Sequence, residues 1–199
     1  MIDLYTYKTS NGHRAAIMLE ECELEYQVHK IDLRRGEQKQ ADFLKLNPSG
    51  RIPVIVDHDE SIVLSQSAAI LLYLAEKTQK LISKEMVGKA KTLEWLCFHA
   101  TDIATTSGNA FYLKNSEWLG YRDAVQRLND RVFDWYNNFD DQLSMTKYLA
   151  GSEYSIADIA VFPSLVNAES NFLKQYKHIA RWRTELLERP AVQRGLNIL

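Results

Sequence analysis

The sequence predicts two parts in series. An α/β part spans residues 1–77, an all-helical part spans 87–199, and residues 78–86 link them. Three observations carry this. Strand-like and helix-like patterns alternate through the first part in the order β-α-β-α-β-β-α. No convincing strand follows Thr78. The stretch between, Thr78 to Glu85, is mostly polar, with Leu81 and Ile82 as its large apolar residues.

The elements follow in order. Ile2 to Tyr7 is a run rich in β-formers. Thr9-Ser10-Asn11-Gly12 is a loop of small polar residues. Ala15, Met18, Leu19 and Cys22 then recur at i, i+3, i+4 and i+7, one face of a helix. Val28 to Leu33 reads as a second strand, broken by Arg34-Arg35-Gly36-Glu37. Asp42 to Leu46 forms a short helix that stops before Pro48. Val54-Ile55-Val56 is a third strand, Asp57 to Glu60 a turn, and Ser61 to Leu64 a fourth strand. Gln66 to Thr78 is a helix, apolar nearly all round, and so should be buried on two sides, against the sheet and against the second part. The β-α-β opening favours a parallel pair, and the tight turn near Asp57 favours an antiparallel hairpin. A mixed four-stranded sheet with helices on its faces satisfies both.

In the second part, Met86, Ala90, Leu93, Cys97, Ala100 and Ala104 keep helical spacing, as do Tyr121, Val125, Leu128, Val132, Trp135, Phe139 and Leu143. Gly108 should interrupt the helix near Ala104 to Lys114. Cys22 and Cys97 both fall on apolar faces, where packing is the expected role. Ser155 is an N-cap, with Asp158 placed to complete a capping box. Pro163 should fall within that helix and kink it. Trp182, Leu186 and Leu187 belong to a helix ending at Arg189-Pro190, and Ala191 to Leu199 forms one more.

Composition excludes several classes. Hydrophobic content of 46% and charged content of 25% are those of a globular domain. The formal net charge is −2. Neither part has the basic excess that phosphate-backbone binding requires, so nucleic acid is not an expected partner. No apolar run approaches the roughly 18 residues of a membrane span. Two widely separated cysteines make no disulfide framework, and no signal peptide opens the chain. The cytoplasm is therefore the expected compartment. The five histidines, at 13, 29, 58, 99 and 178, have no metal spacing, so no metal is expected.

The chemistry centres on Asn47-Pro48-Ser49-Gly50-Arg51-Ile52-Pro53-Val54-Ile55-Val56. Pro53 cannot donate to a strand ladder and should stand at the strand's start. A cis Ile52–Pro53 bond would bare the backbone N–H and C=O of Ile52 for pairing with an extended peptide, as a sheet edge does. A trans bond at an ordinary strand start is the plain alternative. Gln66-Ser67 opens a helix, and free N–H groups there can bind a carboxylate or simply be capped.

These residues resemble the glutathione S-transferase family. The resemblance rests on Thr9-Ser10-Asn11-Gly12-His13-Arg14, on Asn47 to Pro53, on Gln66-Ser67-Ala68-Ala69-Ile70, and on Ser155-Ile156-Ala157-Asp158, in this order and spacing. Within the family the loop looks most like bacterial Nu-class-like members, which favour disulfide exchange over conjugation. The resemblance implies a thioredoxin-like first domain followed by a helical-bundle domain. It implies glutathione as co-substrate, a homodimer, and a small electrophile, disulfide or peroxide as second substrate. It makes Pro53 the family's cis-proline and Ile52 the partner of the cysteinyl backbone of glutathione. Arg51 joins this segment of the site, Ser67 holds the γ-glutamyl carboxylate, and Gln38 meets the glycyl end. Most relatives carry an acid where Gln66 stands, so the γ-glutamyl ammonium loses an ionic partner. Thr9, Ser10 or Asn11 supplies the donor to sulfur, and the same residues can equally act as helix caps. Tyr5 and Tyr7 sit inside the strand and read as packing. The alternative to an enzyme is a non-catalytic protein-interaction or stability module with the same fold.

Overall fold

The computed structural model describes residues 1–115 and 121–199, so the expected helical half is described except for 116–120. The first part holds strands β1 (Ile2–Thr6), β2 (Tyr26–Lys30), β3 (Val54–Asp57) and β4 (Ile62–Ser65). Its helices are α1 (Ser10–Cys22), α2 (Ala41–Leu46) and α3 (Ser67–Thr78). The sheet order is β2-β1-β3-β4. β1 runs parallel to β2, with Leu4 opposite Val28, and antiparallel to β3, with Leu4 opposite Ile55. β3 and β4 form the hairpin turned at Asp57.

Strand alternation sorts the two faces of this sheet. Ile2, Leu4 and Thr6 of β1 are fully enclosed, on the face that α1 and α3 cover. Asp3 and Tyr5 point the other way. Tyr5 stacks on His29, with ring centroids 4.6 Å apart, and meets the edge of Phe43 from α2. Several strand limits shift from expectation by one to three residues, two of them with a clear local cause. β2 ends at Lys30 because Asp32 caps the turn Leu33–Arg35 through the Arg34 N–H. β4 starts one residue late because Ser61 takes a left-handed conformation, φ 53°, to close the hairpin.

The second part comprises α4 (Met86–Phe98), a π-helical turn (His99–Ile103), α5 (Ala104–Lys114), α6 (Arg122–Met145), α7 (Ile156–Val161), α8 (Ser170–Gln175), α9 (Lys177–Leu187) and α10 (Pro190–Leu196). Ser155 and Asp158 form the capping box of α7. Asp158 is enclosed and accepts from Leu149 N, Ser155 N, Ser155 Oγ and Trp182 Nε1. Burial pushes its carboxyl up to about 6, and four donors oppose that rise.

Three expectations are corrected here. Pro163 does not kink α7: the helix ends at Val161, and the proline sits in a 3₁₀ turn, Phe162–Ser164, where its missing N–H costs nothing. Gly108 does not interrupt α5, which runs through it. Cys97 is exposed rather than packed, because the buried residues of α4 are Thr92 and Leu96. The stripe of Met86, Ala90 and Cys97 faces outward instead. Cys22 is buried, as expected.

The chain ends by returning to its beginning. α10 lies on α1 so closely that a Cβ at Gly195 would stand 2.7 Å from the Ile17 backbone. Arg189 grips Glu21 through two hydrogen bonds of 2.7 Å each, and Arg194 meets Glu20. This return holds α1, and with it the loop ahead of it, against the helical part.

Candidate functional site

The site forms where the loop after β1, the segment before β3 and the start of α3 converge. Thr9 is the N-cap of α1, its Oγ1 accepting from Gly12 N at 3.1 Å. Gly12 sits so near the end of β1 that a Cβ would lie 2.2 Å from the Tyr7 carbonyl oxygen. Only glycine lets the helix begin this close to the strand. The loop therefore presents Asn11 outward, at the mouth of a cleft of about 240 Å³ lined also by Arg51, Gln66, Ser67 and Tyr112.

The candidate residues separate on geometry. Asn11 and Ser67, 56 positions apart in sequence, meet directly: Ser67 Oγ donates to Asn11 Oδ1 at 3.3 Å. The Ile52–Pro53 peptide is cis. Ile52, Pro53 and Arg51 line a recess beside Asn11 and Ser67. Gln38 lines an adjoining hollow with Thr9, Ile52 and Phe111, and its Oε1 is buried without a partner among the described residues. Gln66 holds φ 72°, ψ 113°, a conformation costly for a residue with a side chain. It caps α3 without any side-chain hydrogen bond, which leaves the first-turn N–H groups of α3 uncapped. Ser10 departs from the group: its hydroxyl donates to the Pro163 carbonyl at 3.1 Å, tying the loop to the helical part, and it lines none of these three spaces. Tyr5 and Tyr7 also stay away from them, as expected of packing residues.

Two domain models of one family match this chain: the N-terminal domain of glutathione S-transferase over residues 10–77, and the C-terminal domain over residues 98–190. The disulfide-bond oxidoreductase YfcG of Escherichia coli is 36% identical over 204 residues, covering 98% of this chain and 94% of its own. The chain belongs to the glutathione S-transferase family.

Solved structures of this family agree in shape. A glutathione transferase from Pseudomonas putida, with one glutathione disulfide bound per subunit, superposes at TM-score 0.89 and 33% identity, over 99% of this chain and 91% of that one. A glutathione transferase homologue from Lodderomyces elongisporus, with two glutathione molecules per subunit, gives TM-score 0.89 and 34% identity, over 99% and 98%.

In this transferase the sequence reading missed two residues of the cleft, Arg14 and His99. Arg14 lies on the buried face of α1. Its Nε donates to Ala160 O at 2.5 Å, Nη1 to Asn11 Oδ1 at 2.5 Å, and Nη2 to Ser164 Oγ at 2.7 Å. Nη2 also meets His99 Nε2 at 3.1 Å. Burial pulls the Arg14 guanidinium down to about 10, so it remains a cation at neutral pH. Burial, together with Arg14, drives His99 well below its ordinary value, so its imidazole is neutral and accepts from the guanidinium. A signal was available: Arg14 is one turn before Met18, a charge on a face otherwise read as apolar. His99 opens the π-helical turn, which twists α4 into α5 at the cleft wall. Residue spacing carries no sign of that turn.

Proposed function

We propose that the chain is a glutathione-dependent enzyme that activates the glutathione thiolate for attack on an electrophile, with a disulfide as its favoured second substrate. The observation that carries this reading is the meeting of Asn11 and Ser67 beside Ile52–Pro53 in a cleft whose lining, among the described residues, holds no Asp or Glu. Such a cleft suits a ligand with two carboxylates and a thiolate. The uncapped start of α3, with Ser67, takes the γ-glutamyl carboxylate. Ile52 pairs with the cysteinyl backbone, Gln38 meets the glycyl end, and the Asn11 amide donates to sulfur. Thr9 contributes its remaining hydroxyl proton from the cap position. Gln66 offers the γ-glutamyl ammonium only a neutral acceptor.

The disulfide preference draws on the name of the Escherichia coli relative and on the ligand of the Pseudomonas putida structure. It also draws on the protein's own thiols. Cys22 is buried, and burial raises its pKa; Cys97 lies outside the cleft lining. The electrons therefore come from glutathione. A first thiolate attacks the disulfide, forming a glutathione mixed disulfide and releasing one substrate thiolate. A second attacks the glutathione sulfur of that intermediate, forming glutathione disulfide and releasing the other thiolate. Two glutathione molecules are oxidised, one disulfide is reduced, and the two protons lost from glutathione end on the products.

The domains divide at residues 1–77 and 87–199, and the enzyme works as a cytoplasmic homodimer in detoxification. No helix of the described residues is long and apolar enough to cross a membrane. A turnover panel tests the reading: glutathione with a chlorinated aromatic, an organic peroxide and hydroxyethyl disulfide. The expected result is fastest turnover of the disulfide, retained in Cys22→Ser and Cys97→Ser. Retention on immobilised glutathione without turnover of any of the three would favour the non-catalytic module.

A further inference from the structure

Arg14 has a peculiarity that packing alone does not account for. It is 3% exposed, and no carboxylate among the described residues pairs with it. Burying a cation without a counter-charge is costly, and natural proteins keep such groups where an anion arrives or a reaction uses the charge. The groups around it do not neutralise it. Ala160, Ser164 and Asn11 are uncharged, His99 is held neutral, and the Tyr136 hydroxyl is kept protonated by burial, its pKa raised to about 12. His13 and Lys8, on its own side of the site, carry no negative charge. Arg51, from the segment before β3, adds a second cation to the cleft.

Arg14 also settles which way Asn11 faces. A guanidinium has donors only, and so has the Ser67 hydroxyl proton in this contact. Both meet Asn11 Oδ1. The amide oxygen is thereby taken from two sides, and the Asn11 NH₂ has no partner among the described residues. We propose that Arg14 is the positioning residue of the thiolate site: it fixes the Asn11 amide with its NH₂ toward the sulfur and supplies the buried positive charge that favours the ionised thiol. His99 and Ser164 hold the other end of the guanidinium, so the fork keeps one orientation. Lysine, with a single ammonium, cannot make these contacts in one plane.

This inference rests on the reading of Asn11 as donor to sulfur. The experiment separates the two. The ultraviolet absorbance of bound glutathione thiolate is titrated against pH in the full-length protein, beside the pH profile of kcat with hydroxyethyl disulfide. Four variants are compared with the parent: Asn11→Ala, Asn11→Asp, Arg14→Gln and Arg14→Lys. Arg14→Gln raises the midpoint of thiolate formation by about one pH unit and lowers kcat about tenfold at neutral pH, with recovery at high pH. Arg14→Lys keeps the charge and recovers part of the shift. Asn11→Asp serves where Arg14→Gln does not fold. Its carboxylate gives the buried guanidinium the counter-charge it lacks, so thermal stability rises by about 2–4 °C. At the same time the thiol midpoint rises further than in Asn11→Ala, because a donor has become an anion. Failure of Asn11→Ala to move the midpoint overturns the donor reading and this inference together. A midpoint that moves in Asn11→Ala but not in Arg14→Gln overturns the role of Arg14 alone. So does an Asn11→Asp variant no more stable than the parent.

Discussion

At the scale of single residues, the proposed site would divide its labour by distance from the sulfur. Ser67 stands at the start of α3, where it would hold a carboxylate remote from the reacting atom. A contact present equally in ground and transition states sets KM and leaves kcat. Ser67→Ala is therefore expected to raise KM for glutathione about ten- to a hundredfold, the worth of a hydrogen bond to a charged group. Its kcat should change little. Asn11→Ala should act oppositely, lowering kcat at neutral pH. Ser10→Ala should leave the pH profile alone, because its hydroxyl is committed to Pro163. Steady-state kinetics of the three variants across pH checks this. The sequence made Thr9, Ser10 and Asn11 equivalent, three small polar residues before a helix. What distinguishes them is the direction each side chain takes, and that depends on partners more than a hundred residues away, Pro163 for Ser10 and Ser164 for the Arg14 that holds Asn11. Local pattern carries no information about such partners. The cis Ile52–Pro53 bond and the helix start at Ser67 were legible because they rest on backbone, which proline and a helix start determine locally.

At the scale of elements, two glycines inside helices make opposite demands. Gly108 in α5 has nothing within 4 Å of the place a Cβ would take, whereas Gly195 in α10 has the Ile17 backbone at 2.7 Å. Helix interiors prefer alanine to glycine by roughly 0.5–1 kcal/mol. Gly108→Ala should therefore gain about that much stability, with any loss of turnover marking the cleft wall it narrows. Gly195→Ala must push α10 off α1 and should cost about 1–3 kcal/mol, the usual penalty of overpacking. Denaturant midpoints of the two variants decide it. Sequence periodicity found the helices themselves because their apolar faces repeat. It could not find α7's end at Val161 before Pro163, nor the π-helical turn at His99, because both answer to what the helix packs against. It also could not rank the two glycines, since closeness between α1 and α10 is a contact between the ends of the chain.

At the scale of the whole molecule, the stripe of Met86, Ala90, Leu93 and Cys97 has the spacing of a buried seam. In the single chain, however, Met86 is 84% exposed, Val87 beside it is 75% exposed, and Cys97 is exposed too. Leu93 packs on the chain's own core, whereas Met86, Ala90 and Cys97 face outward. An apolar stripe along a helix more than three turns long is a liability in a monomer and an asset across a two-fold axis, where the same stripe meets itself. Val63, on the edge strand β4 of the first part, is 47% exposed as well. The expected species is therefore a dimer of twice 23.0 kDa. A charge within the seam should break it: Ala90→Glu places two like charges at or near the axis, and a small residue at an exposed helix position tolerates the change without unfolding the subunit. Sedimentation at micromolar concentration should show dimer for the parent and monomer for Ala90→Glu. The cleft is built within one chain, from Asn11, Arg14, Arg51, Ser67 and His99. The monomeric variant should therefore still bind glutathione, with affinity within a few-fold of the parent by calorimetry. A parent that sediments as a monomer would refute the seam. A monomeric variant that loses glutathione binding while keeping its circular dichroism would show that the partner subunit completes the site.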